Sequence, residues 1–212
     1  MAHKASPTEA QDISTEKKLD ELYELTRDME TAMFTTRRSD GRMVSRAMAV
    51  QGPAAGADFW FVTSSDSDKI DELEFDPQVN LAFYRDRTRE WVSVSGTART
   101  SRDESTIREL YQPSWKAWFA DEGGERDGGP GDPRIVLVGV EAESAVYFKV
   151  NKPRPLVLFE VARAMVTGDP PNVGATRELG ERVFDANRGS NDATAADWRS
   201  GVIETDVPDR RR

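Results

Sequence analysis

The sequence contains no cysteine and only one histidine, His3, among its 212 residues. The absence of cysteine excludes disulfides, thiolate metal sites and cysteine nucleophiles. With a single histidine, histidine-based catalytic triads and histidine-rich metal sites are nearly excluded as well. No pair of carboxylates stands out as an acid/base couple. We therefore expect no metal site and assign no catalytic residue.

Long apolar runs are also missing. No segment approaches the roughly 20 apolar residues that a membrane-spanning helix needs. The first 16 residues are polar and lack the apolar stretch of a secretory signal. The net charge of −9 and the pI of about 4.8 disfavour nucleic acid and anionic membranes, because phosphate contacts need a basic surface. We expect a soluble, cytoplasmic protein that binds neither membrane nor nucleic acid.

Hydrophobic residues make up 37% of the chain, which suits one domain with a substantial core. We expect a disordered N-terminal tail at residues 1–13 and a folded domain at residues 14–167. Residues 168–212 are polar and contain Gly, Pro and Asn, which predicts a largely disordered C-terminal tail.

Short β-like segments dominate the folded domain. Strands are predicted at residues 31–37, 43–50, 58–63, 79–84, 91–100, 134–140 and 144–150. Helices are predicted at about 15–29, after Ser67, after a capping box at Ser101 and Glu104, and at 155–167. The acidic, Gly-rich segment 121–133 is predicted to be a flexible loop. Seven strands with few helices indicate a mostly β fold, a β-barrel with peripheral helices.

Arg46 is unusual for its strand. Alternation places it on the same face as Val44, Met48 and Val50, three apolar residues. A charge in that position needs a counter-charge or lies at the edge of a binding site. The guanidinium is therefore either paired with an acid at the edge of the core, such as Glu74 or Asp76, or available to an anion.

Residues 63–69 form a second candidate anion site. A predicted strand leads through hydroxyl side chains into a helix N-terminus, with Lys69 in the first helical turn. Free N–H groups and the helix dipole favour an anion at such a terminus. The alternative is an ordinary capped helix. Asp66 and Asp68 favour this alternative because they would repel a phosphate.

Two further features leave alternatives open. Trp115, Trp118 and Phe119 either pack on the core or form a lid over a flat ring or a subunit interface. The strand at 91–98 alternates, and one of its faces is either solvated or in contact with a ligand. That face carries Trp91, Ser93, Ser95 and Thr97.

Five segments follow one another in a specific order: 41–48 (GRMVSRAM), 59–63 (FWFVT), 67–70 (SDKI), 76–81 (DPQVNL) and 92–98 (VSVSGTA). Together they resemble the pyridoxamine-phosphate-oxidase-like split barrels. The stretches 110–113 (LYQP) and 116–119 (KAWF) are similar, more narrowly, to the general stress protein branch of that family. The resemblance covers roughly residues 19–165.

The resemblance implies an FMN-binding split barrel that forms a homodimer, with two FMN sites at the subunit interface. The alternative is that the chain is a related split barrel that uses FAD, a deazaflavin or no cofactor. The phosphate and ribityl contacts are expected from one strand and from the turn before the following helix, with an aromatic side chain over the ring. The expected cofactor-binding residues are Arg42, Val44, Ser45, Arg46, Ala47, Val62, Thr63, Ser64, Ser67, Lys69 and Trp118.

Three departures separate the chain from the true oxidases. Asp68 stands where they place an arginine before the helix lysine, and Trp91 stands where they place a glutamine. Their C-terminal motif of Arg, His and Trp, which holds the substrate, is missing. We therefore expect a flavin-dependent oxidoreductase of unknown substrate that does not oxidise pyridoxamine phosphate. The alternative is a non-catalytic flavin reservoir or sensor in stress response.

Overall fold

Seven antiparallel strands form the framework of the computed structural model, which describes residues 13–52, 54–169 and 171–194. The strands are β1 (Thr31–Arg37), β2 (Met43–Ala49), β3 (Phe59–Ser64), β4 (Gln78–Arg85), β5 (Glu90–Ser101), β6 (Ile135–Val150) and β7 (Gly174–Leu179). The α-helices are α1 (Thr15–Met29), α2 (Asp68–Phe75), α3 (Glu104–Leu110), α4 (Arg154–Thr167) and α5 (Glu181–Thr194). A 3-10 helix spans Pro113–Ala117.

The strand order explains why the barrel is split. The sheet runs β2-β1-β4-β5-β6-β3, and β7 pairs with β6 outside this path. β2 and β3 are therefore the terminal strands of this path. They lie close to each other, but among the described residues no hydrogen-bonded ladder joins them. The sheet curves around a core that includes Phe34, Phe61, Leu81 and Val94. This architecture confirms the predicted β-barrel with peripheral helices.

Helix α1 closes one side of the barrel. Ser14 caps it by accepting a hydrogen bond from the Lys17 N–H, and Leu22 and Leu25 are buried in the core. Helix α2 begins at the end of β3, where Ser67 is the N-cap, and it buries Leu73. In the part of the chain that the structure describes, no helix is both long enough and apolar enough to cross a membrane.

The predicted strands at 134–140 and 144–150 are one continuous strand, β6. The sequence between them carries Glu141 and Glu143, which suggests a break. Both glutamates lie at a shift of the β5–β6 register, next to Ser95 and Gly96, and neither is buried. The strand therefore passes through the polar stretch without leaving the sheet.

The prediction of a disordered C-terminal tail is wrong for residues 174–194. Strand β7 pairs with β6, and the following helix α5 inserts Phe184 into the core, where it is fully buried. Arg188 of α5 donates to Asp58 at 2.6 Å. These contacts give an otherwise polar segment enough buried surface and ion pairing to fold. The predictions for residues 1–12 and 195–212 lie outside the described residues.

Two local predictions also need correction. The cap of α3 is Asp103, which accepts from the Thr106 N–H at 2.8 Å, whereas Ser101 ends β5.

The acidic loop at 121–133 is held by a buried ion pair between Asp132 and Arg134 at 2.7 Å. Arg134 also donates to the carbonyls of Ala120 and Arg126. The loop is therefore fixed by buried hydrogen bonds and is not a flexible segment.

Candidate functional site

The barrel-facing side of α2 combines a cation, an anion and an apolar anchor. Lys69, Glu72, Leu73 and Asp76 follow the helical spacing i, i+3, i+4 and i+7, so they share one face. Leu73 is buried and fixes the helix on the barrel. Lys69 and Glu72 are thereby turned toward the strands, while Glu74 is exposed.

Arg46 of β2 reaches this face of the helix. Its guanidinium lies 2.8 Å from the Glu72 carboxylate and also donates to the Thr36 hydroxyl at 2.9 Å. The sequence suggested Glu74 or Asp76 as acidic partners. Asp76 instead pairs with Arg37 at 3.0 Å. Glu72 is the partner because its position on the helix faces the strand that carries Arg46.

Glu72 holds several donors at once. Besides Arg46, it accepts from the Thr36 hydroxyl at 2.6 Å and from Arg38 at 3.2 Å. The hydrogen bond from Arg46 lowers the pKa of Glu72 to about 2, against the opposing effect of burial. The carboxylate therefore stays ionised, and it fixes the position of Arg46 between β2 and α2.

Lys69 lies beside this cluster and is half-buried. Burial lowers the pKa of Lys69, and the nearby positive charge of Arg46 lowers it further, while Glu72 and Asp68 oppose the shift. Because Arg46 pairs with Glu72, about one helical turn from Lys69, both cations lie toward the N-terminal half of α2. An anion bound here would stabilise both of them.

The turn between β3 and α2 supplies hydroxyl groups next to these cations. Ser67 caps α2 by accepting from the Lys69 N–H, and the Ser64 hydroxyl accepts from the Asp66 N–H. Thr63 is buried, whereas Val62 and Ser64 are partly buried at the end of β3. The site is thus both an ordinary capped helix and a cation-bearing N-terminus, which are the two alternatives that the sequence left open.

Backbone groups of β2 face the open side of the barrel. Arg38 donates to the Arg42 carbonyl, and Val50 donates to the Glu30 carbonyl, so the even-numbered residues of β2 bond to β1. In an antiparallel ladder the intervening residues direct their N–H and C=O groups to the other edge. Ser45 and Ala47 therefore present backbone donors and acceptors at the free edge of β2.

Two depressions flank α2, and neither is lined by Arg46 or Lys69. One lies beside the hairpin that connects β1 and β2, and four carboxylates, of Asp40, Asp68, Asp71 and Glu72, outnumber the single cation Arg38 in its lining. An anion would be repelled there.

Three predicted site residues are not part of this cluster. Arg42 lies in the β1–β2 connection with its side chain 81% exposed, next to Asp40 at 3.6 Å. Val44 is partly buried and pairs with Thr36 in the ladder. Trp118 is 84% exposed, although its neighbours Trp115 and Phe119 are buried in the smaller core cluster. The aromatic segment is thus divided between the core and the surface.

The outward face of five strands carries no charge across three adjacent rows. Two rows follow the ladders from β2 to β6: Ala47, Met33, Ala82, Ser93, Val146; and Ser45, Thr35, Asn80, Ser95, Ser144. The third row continues the same alternation beyond the last β1–β4 pair, with Ala49 and Thr31 on β2 and β1, and Tyr84, Trp91 and Phe148 on β4 to β6. We call these residues the uncharged sheet face. Because 32% of the chain is charged, so large an uncharged area on a strand surface points to a contact surface.

Polar groups on the uncharged sheet face hydrogen-bond to one another. Asn80 donates to the hydroxyls of Ser93 and Ser95, and the hydroxyls of Thr35 and Ser45 are 2.7 Å apart. Polar groups that already have partners can be covered by another surface at little cost. The sequence showed the Ser/Thr face of β5. The full face emerges only when the register of five strands is known.

Comparisons with known proteins find a family model and a relative that each match most of the chain. The family model described as pyridoxamine 5'-phosphate oxidase like matches residues 17–172. Protein bli-3 of Neurospora crassa is 35% identical over 85% of this chain and 88% of its own length.

Solved structures share the fold. A candidate general stress protein 26 from Jannaschia sp. CCS1 superposes with a TM-score of 0.62 at 22% identity, over 78% of this chain and 99% of its own. A general stress FMN/FAD binding protein from Xanthomonas citri has a TM-score of 0.53 at 25% identity, over 65% of this chain and 92% of its own.

Proposed function

Since the chain belongs to the pyridoxamine 5'-phosphate oxidase-like family, we propose that it binds FMN between the free edge of β2 and the N-terminus of α2. The observation that carries this proposal is that Arg46 pairs with Glu72, about one helical turn from Lys69, beside the Ser67 cap. Two close cations, hydroxyl groups and a helix N-terminus together suit a phosphate monoester. The similar protein from Xanthomonas citri is described as binding FMN or FAD.

Each part of the proposed site has a physical task. Lys69 and Arg46 neutralise the phosphate, and the hydroxyls of Thr63, Ser64 and Ser67 donate to its oxygens. The free edge of β2 at Ser45 and Ala47 offers N–H and C=O groups to polar atoms of the flavin. The residues present therefore fit the cofactor.

We propose further that the protein is a homodimer in which the uncharged sheet faces of two copies meet. Strands lie about 4.8 Å apart and alternate residues about 6.8 Å apart, so five strands and three rows cover about 500 Å² per copy. The face ends at the free edge of β2, where the flavin is placed. The partner copy, including its exposed Trp118, is thus available to cover the ring.

When bound, the flavin supplies redox chemistry that the side chains lack. We assign the protein a role as a flavin-dependent oxidoreductase of the general stress type and not as a pyridoxamine-phosphate oxidase. Asp68 and Trp91, which differ from the residues of the true oxidases, support the view that the protein is not a pyridoxamine-phosphate oxidase. The Asp68 carboxylate is 80% exposed beside the anion site, and Trp91 lies on the uncharged sheet face. Incubation with pyridoxamine phosphate and oxygen should give no turnover at ordinary enzyme rates. The cytoplasmic location stays a prediction.

The phosphate assignment is tested by comparing FMN with riboflavin, which has the same ring and no phosphate. We expect Lys69→Met to weaken FMN affinity by about 10- to 100-fold, the value of one charge-assisted hydrogen bond, and to leave riboflavin affinity unchanged. Fluorescence quenching titrations of both flavins provide the measurement. Lys17→Met, on the exposed side of α1, is the control and should match the wild type.

Three results would contradict the proposal. An unmodified protein that fails to bind added FMN overturns the FMN proposal. Equal losses of FMN and riboflavin affinity in Lys69→Met would place the lysine at the ring and not at the phosphate. Unchanged FMN affinity would remove Lys69 from the site. Reduction of bound FMN by a nicotinamide cofactor then separates an oxidoreductase from a reservoir.

A further inference from the structure

Helix α4 presents a large apolar surface that its own chain leaves uncovered. Leu158, Phe159, Met165 and Val166 have exposures of 70%, 65%, 82% and 87%. At 100° per residue these side chains and the exposed Ala162 occupy one continuous arc of about 120°. We call these five residues the apolar arc of α4.

The apolar arc faces away from the barrel. The partly buried residues Val157, Glu160, Val161 and Ala164 lie on the opposite side of the helix. An apolar stripe of this width normally faces a protein core. Here the stripe that should be buried is on the solvent side, so it requires a covering surface from another molecule.

The position of α4 connects the arc with the uncharged sheet face. The helix lies in the connection between β6 and β7, which pair next to each other in the sheet, so it projects as an arm from one end of that pair. Outward residues Val146 and Phe148 of β6 belong to the uncharged sheet face. The arc therefore begins at Leu158, ten residues along the chain from Phe148 at the margin of that face.

Area considerations identify the covering molecule. Two uncharged sheet faces bury about 1,000 Å² in total, below the 1,200–2,000 Å² that is typical of specific, stable dimers. A helix of this length is about 21 Å long and 10 Å wide, so one face of it adds about 200 Å². Two such arms with the surfaces they cover bring the total to about 1,800 Å², within the usual range.

Charge argues against a membrane as the covering surface. On the polar side of the helix Arg163 is paired with Glu160 at 3.0 Å, and the chain carries a net charge of −9. Interfacial helices on anionic membranes combine an apolar face with lysine or arginine on the polar face. We propose that the apolar arc of α4 packs on the second copy of this chain, at the margin of its uncharged sheet face. This inference rests on the proposed homodimer.

The test measures the dimer dissociation constant by sedimentation equilibrium. Leu158→Lys combined with Val166→Lys places two charges in the proposed contact and should raise the constant at least about tenfold, since burying unpaired charge is costly. Leu156→Lys is the matched control. Leu156 is also an exposed leucine of α4, but it lies outside the arc, so this variant should stay within twofold of the wild type.

A second measurement uses the absence of cysteine from the chain. Ala162→Cys adds a small reactive group inside the arc, and Thr167→Cys adds one outside it. With the protein concentrated enough to dimerise, a maleimide dye should label residue 162 much more slowly than residue 167. After dilution to the monomer the two rates should become equal.

The outcomes distinguish the proposed contact of the apolar arc of α4 from the proposed flavin site. A double lysine variant that dimerises as tightly as the wild type, or equal labelling of both cysteines in the dimer, overturns the arm contact and leaves the flavin proposal intact. A wild-type protein that remains monomeric overturns both the dimer and the arm. Binding of the helix to anionic phosphatidylserine vesicles in place of dimerisation would also overturn it.

Discussion

Glu72 determines how Arg46 can bind an anion. A guanidinium held by a carboxylate on one side retains donors on the other, and the pairing fixes its direction. Arg46 is 25% exposed while Glu72 is 6% exposed, so the open side of the pair is the arginine. The pairing also offsets part of the positive charge of Arg46 before any ligand binds.

Replacing Glu72 should change the acid stability of the protein. The folded-state pKa of about 2 lies below the ordinary value of 4.5, so the ionised Glu72 stabilises the folded protein at pH values above 4.5. That contribution is lost as pH falls toward 2, and it amounts to about 3 kcal/mol. Urea unfolding at pH 6 and pH 3 should therefore show a smaller difference in unfolding free energy for Glu72→Gln than for the wild type.

The control for this measurement is Glu74→Gln, two positions along the same helix on its exposed side. It should reproduce the pH difference of the wild type. An unaltered pH difference in Glu72→Gln would contradict the depressed pKa. Because Gln keeps the shape of the side chain, loss of FMN affinity in the same variant would show that Glu72 positions Arg46.

At the level of elements, the C-terminal segment is part of the folded domain. Helix α5 contributes Phe184 to the core, and Arg188 connects it to Asp58, which also accepts from Tyr23. We expect Phe184→Ala to lower the unfolding free energy by about 3–5 kcal/mol, because truncating a buried phenylalanine loses transfer energy and leaves a cavity. Urea denaturation monitored by tryptophan fluorescence measures this loss.

Arg182→Ala serves as its control, since Arg182 is an exposed residue of the same helix and should change stability by no more than about 0.5 kcal/mol. If both variants unfolded with the same free energy, α5 would be detached from the core in solution. The prediction of a disordered C-terminal tail would then be correct.

The elements that were predictable have strong local signals. β1 and β2 alternate around an Asp-Gly turn, and α2 has a serine cap and a lysine in its first turn. β7 has no such signal, because Arg177 takes an inward position, where it pairs with Glu21 of α1 at 2.7 Å. From the sequence alone, a buried charged residue whose partner is far along the chain cannot be distinguished from a surface residue.

The same distinction applies to the site. Arg46 and Lys69 could be named from the sequence because a charge on an apolar strand face and a lysine at a helix start are local anomalies. Glu72 could not be chosen over Glu74 or Asp76, because that choice depends on how α2 is rotated against β2. The uncharged sheet face depends on the register of five strands, which no single segment reveals.

At the level of the whole molecule, the uncharged sheet face links assembly to cofactor binding. The face ends at β2, the strand whose free edge is assigned to the flavin. A charge in the middle of this face should therefore separate the copies and also weaken FMN binding. Ala82→Arg is the sharpest choice, because Ala82 lies in the central row between Met33 and Ser93.

We expect Ala82→Arg to shift the protein to a monomer in sedimentation velocity and to reduce FMN affinity at least about tenfold, because an unpaired buried charge costs several kcal/mol. Thr100→Arg introduces the same side chain at an exposed position of β5 outside the face, and it should leave both properties unchanged. An Ala82→Arg monomer that binds FMN as tightly as the wild type would place the cofactor within one copy. An Ala82→Arg dimer would mean that the copies meet elsewhere, because a sheet contact cannot accommodate a guanidinium opposite its own symmetry mate without loss of affinity.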